Sequence, residues 1–158
     1  MKVTGKLRSP RALGGTVTYR LHTLAKLTDR ISQTLYRSEA ALPLGEARCL
    51  TSIGSFRPLS VNDLAARANL TKGQASRAAQ SLVDQGLVRK QASASDGRGV
   101  VLTLTAQGQK RWQQMMDLVE LRNAQIVGCL SATERTQFDR LVDRLLVHAR
   151  AMTDAESA

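Results

Sequence analysis

Residues 59–105 read LSVNDLAARANLTKGQASRAAQSLVDQGLVRKQASASDGRGVVLTLT, and this run decides the fold. A short helical segment, Leu64–Ala68, leads into a turn at Asn69–Leu70. Ser60 is placed to cap it, with Asp63 in the first turn. Thr71, with Gln74 three residues on, forms the capping box that opens a second helix. Ala75, Ala78, Ala79, Leu82 and Val83 give that helix one apolar face, and Gly86 ends it. Two β-rich runs, Leu87–Gln91 and Val100–Leu104, then flank a small-residue tip that carries Asp96 and Arg98.

Helix, tight turn, helix and basic hairpin, in that order, is the layout of a winged helix-turn-helix. Working outward, Val17, Leu21, Leu24, Thr28, Ile31 and Leu35 recur at steps of three and four, one face of a long helix that Leu27 widens. Pro43 disfavours helix in the residue before it, so this helix should stop near Ala41. Leu44–Phe56 forms the next helix, and Arg57–Pro58 closes it. After the hairpin, Thr105–Gly108 opens a helix with the stripe Trp112, Met115, Met116, Val119, Ile126 and Val127, ending near Gly128. Ser131 and Glu134 box the start of a last helix bearing Phe138, Leu141, Val142, Leu145, Leu146 and Ala149; Asp154–Ala158 should fray. The expected class is mainly α with a small β-hairpin wing (α+β). The expected organisation is a basic arm at 1–15, an N-terminal dimerisation helix at 16–41, a DNA-binding lobe at 44–104 and C-terminal dimerisation helices at 105–152.

The chain has 158 residues, enough for one domain with a core, and a 42% hydrophobic fraction suits a soluble globular protein. Its formal net charge is +10 and its pI about 10.6, which favours a polyanionic partner. The charge is uneven. Residues 1–37 hold eight Lys or Arg against Asp29 alone, and residues 60–98 hold six against three acids. The bland alternative is a solvated basic surface. Aromatic residues make up only 3%, which disfavours a stacking platform for single strands. The two cysteines, Cys49 and Cys129, lack metal-ligand spacing, and no cofactor or metal is expected. His22 and His148 stand far apart with no nucleophile motif or phosphate loop, so no catalytic residue is assigned. No secretory signal and no membrane-length apolar run is visible, and the expected location is cytoplasmic.

The three long helices outside the winged lobe carry apolar faces too wide for it to cover. A second copy is the simplest partner, and a two-fold dimer presents two reading helices to two half-sites. Val17, Leu21 and Leu24, with Phe138, Leu141 and Leu145, are the residues expected at that contact.

Leu59-Ser60 with Asp63-Leu64-Ala65, Thr71, Leu82–Val88, Asp96-Gly97-Arg98 and Leu104-Thr105 with Gly108 form an ordered set. In this order and spacing the chain resembles the MarR family of bacterial transcription regulators over roughly residues 44–108. The resemblance implies an obligate homodimer with intertwined terminal helices. It also implies a pseudo-palindromic operator, and repression released by a small ligand. One departure stands out: the family's wing often carries two adjacent arginines after its Asp, and here Gly97 takes the first place and Arg98 the second.

Thr71, Lys72, Gly73, Gln74, Ser76, Arg77 and Gln80 lie on the N-terminal half or exposed face of the reading helix. Arginine can bond two guanine acceptors and glutamine the adenine edge, while Thr71 and Ser76 suit phosphates. Gly73 lets the backbone approach closely. Thr71 both caps and contacts, and Gln74 is read mainly as a cap. Arg98 suits a narrow minor groove, with Asp96 holding its side chain or simply forming the turn.

The resemblance places an effector pocket where the dimerisation helices meet the lobe. Polar residues on otherwise apolar helices are its candidates: Tyr19, Arg20, His22, Thr23, Lys26 and Arg30, then Arg48 and Cys49, with Trp112 and Met116 on the apolar side. Arg and His there would suit a small aromatic carboxylate. Any one of these side chains taken alone reads more simply as solvated or as core. Two alternatives stay open: a non-specific architectural DNA-binding protein, and a thiol-based redox regulator. Arg48 does not face Cys49 along a helix, so both cysteines are expected to be buried and inert.

Overall fold

A computed structural model of the chain describes residues 12–93 and 99–156. It divides into two compact units, the first ending at Val119 and the second beginning at Glu120.

In the first unit, helix α1 spans Val17–Ala40. The Thr16 hydroxyl caps it by accepting from the Tyr19 amide. As Pro43 requires, it stops at once: Ala41 turns into the left-handed region at φ 51°. Helix α2 spans Leu44–Ser55, with Glu46 in its first turn, where a carboxylate suits the positive helix end. Helix α3 spans Val61–Arg67. It begins three residues before the apolar segment from Leu64, because the Ser60 hydroxyl accepts from the Asp63 amide at 3.1 Å and caps it there.

Helix α4 spans Lys72–Asp84. It buries Ala75, Ala78, Ala79 and Leu82 against α2 and α3. Its end is a full left-handed closure. Gly86 sits at φ 71°, its amide donates to the Val83 carbonyl, and the Leu87 amide donates to the Leu82 carbonyl. That bond takes Leu87 out of the ladder, so the first wing strand β2 is Val88–Ala92, one residue later than the apolar run suggests. The second wing strand β3 is Val100–Leu104, antiparallel to β2 with Val88 opposite Leu104.

A strand absent from the sequence reading lies on the other side of β3. This is β1, Leu59–Ser60, with Leu59 opposite Leu102 in a sheet of order β1-β3-β2. Two residues are too few to show a period, and their pairing with residues forty positions away is invisible locally.

Helix α5 spans Ala106–Ile126, and the boundary between the units falls within it. Thr105 starts it: its hydroxyl accepts from the Gly108 amide at 3.0 Å and donates to the Gly86 carbonyl at 2.6 Å. The core of this unit gathers Leu42, Leu50, Ile53, Leu64, Leu82, Leu102 and Met115, all fully buried. Trp112 packs its indole against Gly54, where any Cβ would overlap the ring.

The second unit holds the end of α5 and helix α6, Ala132–Glu156. Ser131 and Glu134 box its start, the Ser131 amide donating to the carboxylate at 2.8 Å. The helix runs through Asp154–Glu156, where fraying is expected from the sequence.

The Gly54 contact yields a stability prediction. Gly54→Ala should lower unfolding free energy by about 1–3 kcal/mol, as overpacking does. Gly45→Ala, in the same helix with open space at its Cβ, should leave stability unchanged or raise it by up to about 1 kcal/mol. Urea denaturation at one protein concentration separates them. Equal losses for both variants would refute the packing account.

Candidate nucleic-acid interface

Helix α4 presents a face built for contact. Thr71, Lys72, Gly73, Gln74, Ser76, Arg77 and Gln80 are all exposed, opposite the buried alanines. The Thr71 hydroxyl accepts from the Gln74 amide at 3.3 Å, and the Gln74 side-chain oxygen accepts from the Thr71 amide at 3.0 Å. Gln74 therefore spends its acceptor on the cap. A Cβ on Gly73 would meet only the Arg77 guanidinium, at an ordinary 3.6 Å. The fold itself does not require glycine there.

The wing root adds residues that sequence reading missed. Arg89, Lys90 and Gln91 are exposed along β2. Arg89 donates to the Thr103 hydroxyl at 3.2 Å, and that hydroxyl donates to Gln91 at 3.2 Å. Lys90 reaches across to α4 and donates from Nζ to the Gln80 side-chain oxygen Oε1 at 2.7 Å. Their charge was legible in the sequence; the contact with Gln80 was not. Asp96 and Arg98 lie outside the described residues. Behind this face, Glu46 accepts from Ser81 at 2.8 Å and from Gln85 at 2.9 Å, tying α2 to α4.

The expected effector residues are not brought together. Tyr19, Arg20, His22, Lys26 and Arg30 stand exposed on α1, Met116 is half-buried, and Trp112 has its Nε1 buried without a hydrogen-bond partner. What α1 and α2 do enclose is a crevice of about 120 Å³ lined by Asp29, Ser32, Tyr36, Leu44, Ala47, Arg48, Thr51 and Val119. Arg48 and Asp29 form an ion pair there at 2.5 Å, both half-buried. Asp29 was missed, although a lone acid among eight cations was a signal. Arg48 also borders a groove of about 420 Å³ that reaches Gln74 and Arg77 on α4.

Cys49 is corrected as a pocket residue, since it is fully buried in the core. Burial, and then the charge of Glu46, push its thiol up to about 12. A thiol so suppressed does not sense oxidants. Cys129 departs from expectation the other way and is exposed. The six residues assigned to dimerisation, Val17, Leu21, Leu24, Phe138, Leu141 and Leu145, are 40% to 63% exposed, so the single chain leaves them uncovered. No group of three metal-ligating side chains occurs among the described residues, and no described helix is long and apolar enough to cross a membrane.

The fold and the polar face of α4 define a winged helix-turn-helix protein. Comparison with known proteins is specific. A family model for the MarR family matches residues 42–99. The HTH-type transcriptional repressor Rv2887 of Mycobacterium tuberculosis is 31% identical over 121 residues, covering 77% of this chain and 86% of the relative. The crystal structure of that MarR family protein in complex with salicylic acid superposes with a TM-score of 0.69 at 27% identity, over 82% of this chain and 96% of the other. A MarR/EmrR family regulator from Acinetobacter sp. ADP1 shares the fold, with a TM-score of 0.76 at 22% identity over 85% and 94% of the two chains. The chain belongs to the MarR family of transcription regulators; it is a regulator and not an enzyme.

The thiols provide a check on the core. Cys129 should react with a thiol reagent in the native protein, and Cys49 only after unfolding. Between the ordinary thiol value of 9.0 and about 12, the unfolded chain has lost the Cys49 proton and the folded chain keeps it. Stability should therefore fall as pH rises through this window, by about 1.4 kcal/mol per unit more than in Cys49→Ala. Rapid native labelling of Cys49 would contradict the burial.

Proposed function

We propose that this chain is a cytoplasmic homodimeric repressor of a pseudo-palindromic operator, released by a small aromatic carboxylate. The observation that carries the reading is the α4 face: seven polar, cationic or glycine positions exposed on a helix whose other side is locked into the core. Arg77 and Gln80 offer the donor and acceptor pairs that read guanine and adenine, and Thr71 and Ser76 suit phosphates. Arg98 supplies the minor-groove contact, steadied by Asp96. The net charge of +10 supports association with duplex DNA. Residues 16–41 and 105–152 supply the dimer contact, their uncovered apolar faces being the support, and 44–104 the reading lobe.

Crystal structures of the Mycobacterium tuberculosis relative are complexes with salicylic acid and with p-aminosalicylic acid. In this chain a carboxylate would compete with Asp29 for Arg48. The crevice of about 120 Å³ lies below the roughly 300–1,000 Å³ of ordinary ligand pockets, so binding has to open the Arg48–Asp29 pair. Because Arg48 borders the groove that reaches Gln74 and Arg77, this opening occurs one side chain away from the reading face.

Selection from random duplexes with the full-length protein tests the reading. An inverted repeat should be enriched and survive excess competitor DNA, and Arg77→Ala or Arg98→Ala should weaken its binding by about 1–3 kcal/mol. Salicylate should release the complex, and Arg48→Ala should abolish that response. Binding that shows no sequence preference and vanishes in moderate salt would establish an architectural protein instead.

A further inference from the structure

We infer that Lys90 and Asp84 are positioning residues for base recognition, which together clamp the Gln80 amide in one orientation. The inference rests on the reading of α4 as a DNA reader. Lys90, on β2, donates from Nζ to Gln80 Oε1 at 2.7 Å. Gln80 Nε2 donates in turn to Asp84 Oδ1, one helical turn on, at 2.8 Å. An ammonium can only donate and an ionised carboxylate can only accept. Swapping the amide oxygen and nitrogen would set donor against donor at one end and acceptor against acceptor at the other. The order of the two polar atoms is therefore dictated by its neighbours.

The clamp leaves Gln80 one lone pair and one N–H. That is the pair which complements the N6 amino group and N7 of adenine in the major groove. An unclamped glutamine turns its amide over and offers the opposite order, so it discriminates less. Asp84 is otherwise hard to explain. It is the last residue of α4, a helix with no basic residue in its final turn, and a carboxylate there opposes the helix dipole. It also follows Gln80 on the row that carries Gly73 and Arg77, where a lone negative charge would repel phosphates. Paired through Gln80 with Lys90, its charge is matched. In the free protein, water competes for these exposed bonds; a docked duplex excludes that water and strengthens them.

The test is selection from random duplexes with full-length wild type, Gln80→Ala, Lys90→Met, Asp84→Ala and Lys90→Arg, followed by salt titration on the wild-type sequence. Wild type should favour an A·T pair at one position in each half-site, and Gln80→Ala should lose it. Lys90→Met and Asp84→Ala should lose preference at that same position by roughly fivefold or more while keeping the rest of the motif. Lys90→Arg, which still donates, should retain it. The salt slope of Lys90→Met should match wild type. The inference is overturned if Lys90→Met and Asp84→Ala select the wild-type motif at full strength, or if Gln80→Ala changes nothing. It is also overturned if Lys90→Met loses affinity evenly on all sequences with a slope smaller by about 0.9, since Lys90 is then a phosphate contact. A wild-type protein that enriches no sequence refutes the DNA reading itself, a distinct result.

Discussion

Helix α4 is held by very little bulk. Ala75, Ala78 and Ala79 with Leu82 make up its buried face, and three of the four end at Cβ. Small side chains bring the helix backbone close to α2 and α3, and a close approach leaves no room to roll. Leu82 alone accounts for about 1.5–3 kcal/mol of burial. Everything outward on α4 follows from this packing, because a helix fixed on one face must present the other. The left-handed closure at Gly86 then turns the chain directly into the wing, so reading helix and hairpin share one short connection.

Acidic groups do the aligning in this basic chain. Asp29 holds Arg48, Glu46 holds Ser81 and Gln85, and Asp84 holds Gln80. The first pair links α1 to α2 and the second set links α2 to α4. Helix α2 thus touches α1 and α4 through polar side chains in its N-terminal half. In the proposed reading, a ligand that took Arg48 from Asp29 would change one end of this connection, and Arg48 itself lines the groove beside Arg77. Differential contact at one site biasing another is the physical content of allostery.

The positive charge plays a different part. Most of it lies in the first third of the sequence, outside the reading helix, where it raises attraction for a polyanion without reading sequence. In the proposed reading, discrimination falls to a few groups of defined geometry, Arg77 and Gln80 above all.

Local chemistry was enough to find the helices. The hydroxyls of Ser60, Thr71 and Ser131, each with its partner three residues on, announced three helix starts, and Pro43 and Gly86 announced two ends. Period and caps depend on neighbours within one turn, so the order of the helices and of the two wing strands, the winged fold and the polar face of α4 were legible in the residues alone. Strand β1, the exposure of Cys129 and the pairing of Asp29 with Arg48 were visible only in the folded chain. So was the bond from Lys90 to Gln80. Each joins residues distant in the chain or depends on which face of a helix meets another, and no local rule encodes that distance.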